Sequence, residues 1–430
     1  MKTFDEILPA LEESLREEAG NLAKIGKLII NRDLNGRIRL VVDEKIENDT
    51  DAQKAIDAVE RSIAGRLESR FPGTGNVLYE FSPDTVLRGI PHFPLQGFPG
   101  VIIADRLLAE SDWRSIAPPA TGACRIVFFS IKGGVGRSTA LAASAWALAE
   151  EGKRVMVLDL DLESPGLSGL LLPGAICPKY GITDWLVEDL IQNDGVIFSD
   201  MTAISDLSHN GEICIVPAHG KDAGEYIAKL GRAWMPKYKP GNSPEPWQNR
   251  LGRLLEKLEN QWHPDVILID SRAGIDEVSS ACITSLGAET VLLFAIDSDQ
   301  TWIGYDILFR HWLRNDAAQN IRGRLRMVGA LIPEINQTEY LDGLCEHGWN
   351  IFTERLYDPI PPDNSEDDYC NYDKTDSDAP HYPWPVRWNR GFAAPRNMYA
   401  PLQQAAVKEQ VDSVFGGLIK GIEGIIGQNG

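Results

Sequence analysis

The chain lacks the cysteine pairs that mark a metal cluster. Its 430 residues include six cysteines, and none forms a C-x-x-C pair, so the sequence favours neither a zinc ribbon nor an iron–sulfur cluster. Cys345 and His347 are close in sequence but lack further ligand candidates. A signal-peptide pattern and an apolar run of about 18 residues are also missing. Together with unpaired thiols, these absences lead us to expect a cytoplasmic protein.

Positive charge is scarce as well. Lysine and arginine total 42 against 62 aspartates and glutamates, which gives a formal net charge of −20 and a pI near 4.8. This balance argues against sequence-blind binding of nucleic acid, which depends on dense lysine and arginine. The one basic cluster is interpreted as a solvated surface: Arg310, Arg314, Arg322, Arg324 and Arg326. With 43% hydrophobic residues, the chain can bury two cores.

The most informative stretch is RIVFFSIKGGVGRST, residues 125–139. An apolar strand runs into a glycine-rich loop, and we expect a helix to begin at Gly136 or Arg137. Glycines at 133, 134 and 136 let backbone N–H groups approach an anion closely, because no Cβ stands in the way. The helix that follows adds unpaired N–H groups and the positive end of its dipole. The pattern predicts a phosphate-binding loop, in which Ser138 offers a hydroxyl where such loops hold Mg²⁺.

The loop departs from the usual G-x-x-x-x-G-K-[ST] pattern at two positions. Ile131 replaces the first glycine and Arg137 replaces the usual lysine, while Lys132 precedes the glycine pair. This arrangement resembles the deviant phosphate loop, K-G-G-x-G-K-[ST], of the MinD/ParA group of ATPases. Arg137 keeps the positive charge but is bulkier and planar. We therefore expect phosphate binding to survive the change and leave the hydrolysis rate open.

The resemblance implies ATP and Mg²⁺ as ligands and a homodimer with the nucleotide at its interface. Lys132 is then the catalytic lysine that reaches across to the partner's nucleotide. The implied nucleotide-binding residues are those of the loop and the first helical turn: Gly133, Gly134, Val135, Gly136, Arg137, Ser138 and Thr139. The asparagine expected near the base is not identifiable, so adenine is assigned by resemblance.

Two later strands end in acidic residues, which belong at the carboxyl end of a buried parallel strand, beside the ligand crevice. The segment KRVMVLDLD ends in Asp159 and Asp161, and the segment DVILIDSRAG carries Asp270. By resemblance to MinD, Asp161 positions the attacking water, Asp159 lies near the metal, and Asp270 accepts the metal's water ligands. Glu163 is a rival for the water role, and a purely structural role of the acids in capping strands also stays open.

Arg272, two residues after Asp270, has two interpretations of equal weight. It is within reach of the γ-phosphate and can sense it, or it pairs with Asp161 or Glu163.

Further apolar strands alternate with helical stretches, which implies right-handed crossovers and a parallel sheet covered on both faces. The strands are EICIVPAH (212–219), ETVLLFAID (289–297) and RMVGALIPE (326–334). Helices are expected over Ser138–Glu151 and Gln300–Asn315. The second shows an apolar face at helical spacing, interpreted as a core face: Trp302, Ile303, Ile307, Leu308, Trp312 and Leu313. Residues 121–430 are thus predicted to form one doubly wound, mostly parallel α/β domain of the P-loop NTPase class.

Residues 1–118 are predicted to form a separate small α+β domain. An acidic amphipathic helix (Phe4–Leu22) precedes a hairpin, whose strands, Lys27–Asn31 and Arg37–Val42, flank the Asn35-Gly36 turn signal. A second helix is expected over Asp51–Arg70. Nothing in this part has catalytic spacing, so we expect it to bind or position a protein partner.

The C-terminal segment predicts an amphipathic helix with an apolar stripe: Val411, Val414, Phe415, Leu418, Ile419, Ile422, Ile425 and Ile426. A membrane-binding role is conceivable, since MinD ends in such a helix. Its polar face has one lysine, Lys420, beside Asp412 and Glu423, whereas anionic lipid prefers several cations. Glycines at 416, 417, 421 and 424 further disfavour an isolated helix. We therefore expect docking on the protein's own sheet or on a dimer partner.

Two segments upstream of this helix receive weaker interpretations. Tyr357–Asp378 is acidic and contains proline, so we expect a mobile loop. The aromatic and arginine-containing segment His381–Pro395 suits an interface, a stacking surface for a base, or a loop pinned to the core, and no role is assigned to it.

Three functions fit these patterns. The first is a slowly hydrolysing, ATP-dependent dimerising switch of the MinD/ParA type, and the second is a pseudo-ATPase scaffold that binds nucleotide without turnover. The third, a bacterial tyrosine kinase of the same fold class, is disfavoured because no tyrosine follows Tyr399.

Overall fold

The chain divides into two compact units. A computed structural model describes residues 3–71, 75–107, 113–172, 176–238, 244–360, 369–392, 398 and 407–429. The first unit comprises Met1–Asp112 with Lys239–Pro244, and the second comprises Trp113–Tyr238 with Glu245–Gly430. The domain ranges 1–118 and 121–430 stay a prediction.

The first unit is a mixed sheet covered by helices, which confirms the predicted α+β class. In its described residues the sheet has the order β3-β2-β1-β5-β4. Its strands are β1 (Leu28–Arg32), β2 (Ile38–Asp43), β3 (Val77–Glu80), β4 (His92–Pro94) and β5 (Val101–Asp105), and its helices are α1 (Ile7–Glu17), α2 (Ala19–Ile25) and α3 (Thr50–Leu67). Buried apolar residues of α1 and α3 pack on one face of this sheet. The helix predicted over Phe4–Leu22 is instead a 3₁₀ turn followed by two helices that part at Glu18.

The predicted hairpin is present. β1 and β2 pair antiparallel, with Arg32 opposite Ile38. The Asp33 carboxylate accepts hydrogen bonds from the N–H groups of Asn35 and Arg37, and Gly36 has a φ of 72°. A positive φ is readily adopted by glycine alone, so the turn depends on that residue.

The second unit is a sheet with helices on both faces. In the described residues it has eight strands in the order β13-β12-β11-β6-β10-β7-β9-β8, and only β8 pairs antiparallel to its neighbour. Its strands are β6 (Cys124–Ser130), β7 (Arg154–Asp159), β8 (Ala203–Ser205), β9 (Glu212–Val216), β10 (Val266–Ala273), β11 (Thr290–Ala295), β12 (Leu325–Ile332) and β13 (Trp384–Arg387). This architecture confirms the predicted doubly wound, mostly parallel α/β fold.

The helices between and beyond these strands are α4 (Arg137–Glu150), α5 (Leu167–Leu171), α6 (Ile182–Asp189), α7 (Asp194–Ile197), α8 (Tyr226–Ala233), α9 (Trp247–Trp262), α10 (Glu277–Ser280, continued by a π-helical turn Ala281–Ser285), α11 (Asp299–Arg314), α12 (Ala318–Ile321), α13 (Gln337–Arg355) and α14 (Val407–Asn429). None of the helices among the described residues has both the length and the apolar content needed to cross a bilayer. All six cysteines are free thiols.

Two cores lie on opposite faces of this sheet, and the central strand β6 contributes to both. Val127 and Phe129 belong to the core under α6, α9 and α11, whereas Ile126 and Phe128 belong to the core under α4 and α14. The side chains of successive strand residues point to opposite faces. A strand covered on both sides is therefore apolar throughout, which explains the continuous run IVFF.

The face predicted for α11 is wrong in part. Leu308 and Trp312 are buried, but Ile303, Ile307 and Leu313 are 61%, 56% and 47% exposed. The helix instead buries a stripe that includes small and aromatic residues: Thr301, Gly304, Tyr305, Leu308, Phe309 and Trp312. The sequence pattern did not predict this stripe because Thr301 and Gly304, which carry little hydrophobicity, lie on the buried side of the helix.

Helix α14 packs on the protein's own sheet, which is one of the two dockings expected from the sequence. Its apolar residues lie in the core shared with β6, β12 and α4. Gly417 and Gly421 lie against β13: a Cβ on Gly421 would lie 2.5 Å from the Trp384 ring, and one on Gly417 would lie 2.6 Å from Pro385. Two of the four glycines that weaken an isolated helix are thus positions where this helix approaches the sheet closely, whereas a Cβ on Gly424 would meet nothing within 4 Å.

Part of the segment Tyr357–Asp378, predicted to be a mobile loop, lies outside the described residues. The described end is held by several contacts: Arg322 makes paired 2.7 Å hydrogen bonds to both oxygens of Asp358, whose carboxylate also accepts from the N–H of Cys370. Arg322 belongs to the basic cluster interpreted as solvated, so for this residue that interpretation is wrong.

Candidate functional site

The loop between β6 and α4 has the backbone geometry of an anion cradle. Gly134 and Gly136 have φ values of 75° and 81°, and Gly136 caps the helix that begins at Arg137. This left-handed region is open to glycine and strained for most other residues. The first N–H groups of α4 have no partner within the helix and carry the positive end of its dipole. The loop and helix therefore suit a polyphosphate.

The start of the loop is held by α11. A Cβ on Gly304 would lie 2.3 Å from Cγ2 of Ile131, so the glycine gives the isoleucine side chain its space. Val135, farther along the loop, is 2% exposed and belongs to the core under α4. These contacts anchor the loop by its apolar residues and leave Gly133 and Gly134 exposed.

Arg137 lies at the centre of the site and is 7% exposed. Its Nε donates to Asp270 Oδ1 at 2.6 Å, and its terminal nitrogens donate to Ser130 Oγ and Asp161 Oδ2, each at 3.2 Å. Burial opposes the charged form, but the carboxylates of Asp270 and Asp161 outweigh it and raise the pKa of Arg137. The guanidinium is thus a fixed positive charge that joins the loop helix to two strand ends.

Ser138 is bound to the other oxygen of the same carboxylate. Its hydroxyl donates to Asp270 Oδ2 at 2.5 Å. Asp270 lies in β10, where it pairs in register with Asp159 of β7. The structure thus brings together Arg137, Ser138, Asp159, Asp161 and Asp270, all of which the sequence singled out.

The two carboxylates at the end of β7 are incompletely paired. Asp159 is fully buried. Burial and the nearby Asp270 carboxylate raise the pKa of Asp159 to about 7, although hydrogen bonds from the N–H groups of Ser168 and Gly166 oppose this shift. Burial also raises the pKa of Asp161, although Arg137 opposes the shift. Oδ1 of each carboxylate is buried and has no hydrogen-bond partner among the described residues. Both oxygens are therefore free to accept a bond from water or a cation.

A magnesium ion fits this donor set. The described residues contain no group of three or more His, Cys, Asp or Glu side chains placed to enclose a metal. Mg²⁺ does not need one, because it keeps several waters and is usually held by one or two carboxylates plus substrate phosphates. The Ser138 hydroxyl, Asp270 and the unpartnered Oδ1 of Asp159 supply oxygen ligands of that kind beside the phosphate loop.

Arg272 pairs with Glu163, which is one of the alternatives left open by the sequence. Its NH1 lies 2.6 Å from Glu163 Oε2, and its Nε lies 3.3 Å from Asp276 Oδ2. The pair joins the loop after β7 to the end of β10. The other predicted residues keep positions on the loop itself, with Lys132 half-buried at its start and Thr139 half-buried in the first turn of α4.

Sequence reasoning missed three residues that shape the site: Ser130, Gly304 and Leu331. Ser130 accepts from Arg137, Gly304 makes room for Ile131, and Leu331 has a φ of 52° and reaches the loop at Gly136. A strand-terminal serine and a helical glycine carry no distinctive sequence signal. The contact from Leu331 depends on a strand irregularity that appears only in three dimensions.

A parallel sheet whose central strand runs into a glycine loop and a helix, with acids at the ends of neighbouring strands, defines a P-loop NTPase domain. Residues 126–335 match the family model described as the CobQ/CobB/MinD/ParA nucleotide binding domain (CbiA). The chain therefore contains a MinD/ParA-like P-loop NTPase domain, as the sequence predicted. No curated protein matches the sequence.

Solved structures that the chain matches include cobyrinic acid a,c-diamide synthase from Mycobacterium smegmatis with bound ATP analog and magnesium. It is 22% identical over 56% of this chain and 86% of its own, with a TM-score of 0.37. The cell division ATPase MinD of Pyrococcus furiosus is 19% identical, over 70% and 99%, with a TM-score of 0.41. The pNOB8 ParA protein bound to nonspecific DNA is 19% identical, over 71% and 98%, with a TM-score of 0.43.

Proposed function

We propose that this protein is an ATP-dependent switch that binds ATP and Mg²⁺ at the loop after β6, dimerises around the nucleotide and hydrolyses it slowly. The single observation that carries the proposal is the side chain of Arg137. It lies on the phosphate-loop helix and bonds to Asp270 and Asp161, so the acids of two strands converge on the loop. A purely structural role for the acids does not require them to meet at a glycine loop.

In this proposal, residues of the chain have distinct roles in binding and hydrolysing the nucleotide. The amides from Gly133 to Thr139 hold the phosphate oxygens, and Arg137 neutralises their charge. Ser138, Asp270 and Asp159 would hold Mg²⁺, which, when bound, supplies charge neutralisation at the β and γ phosphates. Asp161 positions water through its unpartnered Oδ1. Such catalysis consists mostly of positioning and electrostatic stabilisation.

The dimer in this proposal depends on Lys132. The lysine lies at the first position of the glycine loop and is half-buried. The family resemblance assigns such a lysine to the nucleotide of the partner subunit. The first unit of the chain is proposed to bind a protein partner.

A pseudo-ATPase scaffold is the second candidate, and one contact favours it. Arg137 donates to Asp161, the carboxylate proposed to position water, and thereby occupies one of its oxygens. A guanidinium that keeps this bond when nucleotide is bound would permit binding and suppress turnover.

Light scattering coupled to size-exclusion chromatography tests the switch, with apo protein compared against protein with Mg·ATP. The proposal predicts a doubled mass only with nucleotide, lost in Lys132→Ala and retained in Lys420→Ala, a control on the polar face of α14. A mass that does not change with nucleotide would count against the dimer. Phosphate release measured on the same samples separates the two candidates, because turnover equal to buffer favours the scaffold.

A further inference from the structure

The loop after β7 is held at three consecutive residues, each by a different element of the fold. The side chains of Asp161 and Glu163 pair with arginines of α4 and β10, at 3.2 and 2.6 Å. Between them, the carbonyl oxygen of Leu162 accepts a 2.7 Å hydrogen bond from the hydroxyl of Tyr226. Tyr226 is the first residue of α8, so this third contact ties the loop to a helix that contributes no other residue to the candidate site.

The Tyr226 hydroxyl has a defined direction. It donates to Leu162 and accepts from the hydroxyl of Thr183 at 3.3 Å. Thr183 lies on α6 and is 0% exposed, so its hydroxyl has little access to water as an alternative partner. The ring of His219 meets the tyrosine ring edge-on, with 5.4 Å between the centroids. Burial raises the pKa of Tyr226 above its usual value, so the hydroxyl keeps its proton and remains a donor.

The elements that carry Tyr226 are closely joined. The loop after β9 lies against the start of α6, where a Cβ on Gly181 would lie 2.6 Å from the backbone of His219. On α8, Nζ of Lys229 lies 2.6 Å from Oδ1 of Asp184. The other oxygen of that carboxylate accepts from the N–H of Gly181 at the start of α6. Tyr226 therefore contacts the loop after β7 from a fixed position.

The contact acts on the backbone next to Asp161. Leu162 is 0% exposed and belongs to the core under α6, α9 and α11, so both its side chain and its carbonyl are fixed. The neighbouring Asp161 has Oδ2 bound to Arg137, whereas its buried Oδ1 has no hydrogen-bond partner among the described residues. A fixed backbone and one bound oxygen together determine the direction in which Oδ1 can accept a bond.

We propose that Tyr226 is a positioning residue for ATP hydrolysis: its bond to Leu162 keeps Oδ1 of Asp161 directed at the attacking water. This inference rests on the proposed function, since it requires that ATP is hydrolysed and that Asp161 positions the water. Small displacements of a catalytic group slow a reaction, because the reacting atoms need a near-attack geometry. The tyrosine acts through the loop, so its loss should lower kcat and leave KM unchanged.

Phosphate release measured against ATP concentration, with calorimetric titration of Mg·ATP on the same samples of the full chain, tests this role. The stoichiometry of the titration gives the fraction of binding-competent protein, so kcat is expressed per competent molecule. Tyr226→Phe removes only the hydroxyl and is expected to lower kcat roughly 2- to 13-fold, the range of one hydrogen bond. KM and the Kd for Mg·ATP should stay unchanged. Thr183→Val leaves the bond to Leu162 in place and should lower kcat less.

Tyr238→Phe is the matched control, because Tyr238 is 70% exposed, and it should alter neither rate nor affinity. A Tyr226→Phe variant with the wild-type kcat would overturn the positioning role and leave the proposed function in place. If KM and Kd rise while kcat stays constant, the hydroxyl supports binding, which also overturns the role. A wild-type protein that binds Mg·ATP without releasing phosphate would overturn the role together with hydrolysis. One that binds no Mg·ATP would overturn the proposed function itself.

Discussion

The guanidinium of Arg137 and the carboxylate of Asp270 form a buried ion pair, with Nε 2.6 Å from Oδ1. The side chains are 7% and 1% exposed, so water does little to screen either charge. The pair joins residues 133 positions apart in sequence and connects the phosphate loop to the end of β10. Stability and nucleotide binding are therefore coupled at one contact.

Arg137→Met should lower the free energy of unfolding by about 3–5 kcal/mol, because it leaves a buried carboxylate without its partner. Asp270→Asn should also destabilise, and the double variant should recover much of the loss, since neither charge then remains. Urea denaturation of the four proteins measures the coupling. The exposed lysine of the Lys54–Asp51 pair provides the control, because Lys54→Met should change stability by less than about 1 kcal/mol. A single Arg137→Met variant as stable as wild type would refute the coupling.

Gly304→Ala should disturb the start of the phosphate loop. The new Cβ would lie 2.3 Å from Cγ2 of Ile131. That methyl sits on a stiff β-branched carbon, so the backbone of the loop must move. Overpacking of this kind destabilises by about 1–3 kcal/mol, and affinity for Mg·ATP should fall as well. Gly252→Ala in α9, where a Cβ meets nothing within 4 Å, should instead stabilise by about 0.4–1 kcal/mol. Thermal unfolding and calorimetry compare the two, and an unchanged Gly304→Ala variant would contradict the contact.

Two alanine substitutions in α14 test its docking on the sheet. Gly421→Ala would place a Cβ 2.5 Å from the Trp384 ring, whereas a Cβ on Gly424 meets nothing within 4 Å. We expect Gly421→Ala to destabilise by about 1–3 kcal/mol and Gly424→Ala to stabilise by up to about 1 kcal/mol through helix propensity. If both variants gain stability equally in chemical denaturation, the helix does not lie against β13.

Stability should fall at mildly acidic pH through His381. The ring is buried; because the carbonyl of Lys374 can only accept, Nε2 carries the hydrogen, and Nδ1 accepts from the Tyr357 hydroxyl at 2.7 Å. Burial lowers the pKa of His381 below its usual 6.5, although the Lys374 carbonyl and Asp376 oppose the shift. Between the two pKa values of His381, the unfolded chain therefore binds a proton that the folded chain does not bind. The contribution of His381 to folding stability is complete above pH 6.5 and is lost as pH falls toward the pKa of the folded state.

Urea denaturation midpoints of wild type and His381→Gln, measured between pH 5 and 7.5, test whether His381 causes this loss of stability on acidification. The variant is expected to be less stable at every pH but to show a flatter decline on acidification. Parallel curves would mean that groups other than His381 account for the whole pH dependence.

The sequence predicted the sheet well where strands are buried on both faces. The runs that became β6, β7, β9, β10, β11 and β12 are continuously apolar and end at acids or turn residues. The edge strands β8 and β13 were not predicted because they are short and half-buried. In addition, β13 contains Pro385, which argues against a strand. Edge strands are defined by their neighbours more than by their own residues.

In the candidate site, too, some features could be predicted from the sequence and others could not. Motif spacing identified Arg137, Ser138, Asp159, Asp161 and Asp270, but not which atoms meet. Arg272 had two interpretations because a long side chain at the end of a strand reaches several acids, and only the folded backbone placed Glu163 at 2.6 Å from it. Leu331 carried no sequence signal, since its role comes from a one-residue register shift between two strands.

The order of strands has a consequence for synthesis on the ribosome. The neighbours of β6 in the sheet are β10 and β11, which begin at Val266 and Thr290. At about 5–20 residues per second, β6 is made roughly 7–27 s before the first of these partners is synthesised. During that interval the apolar run Ile126–Phe129 of β6 has no strand to pair with, so nascent chains of this protein should depend strongly on chaperones that shield exposed strands.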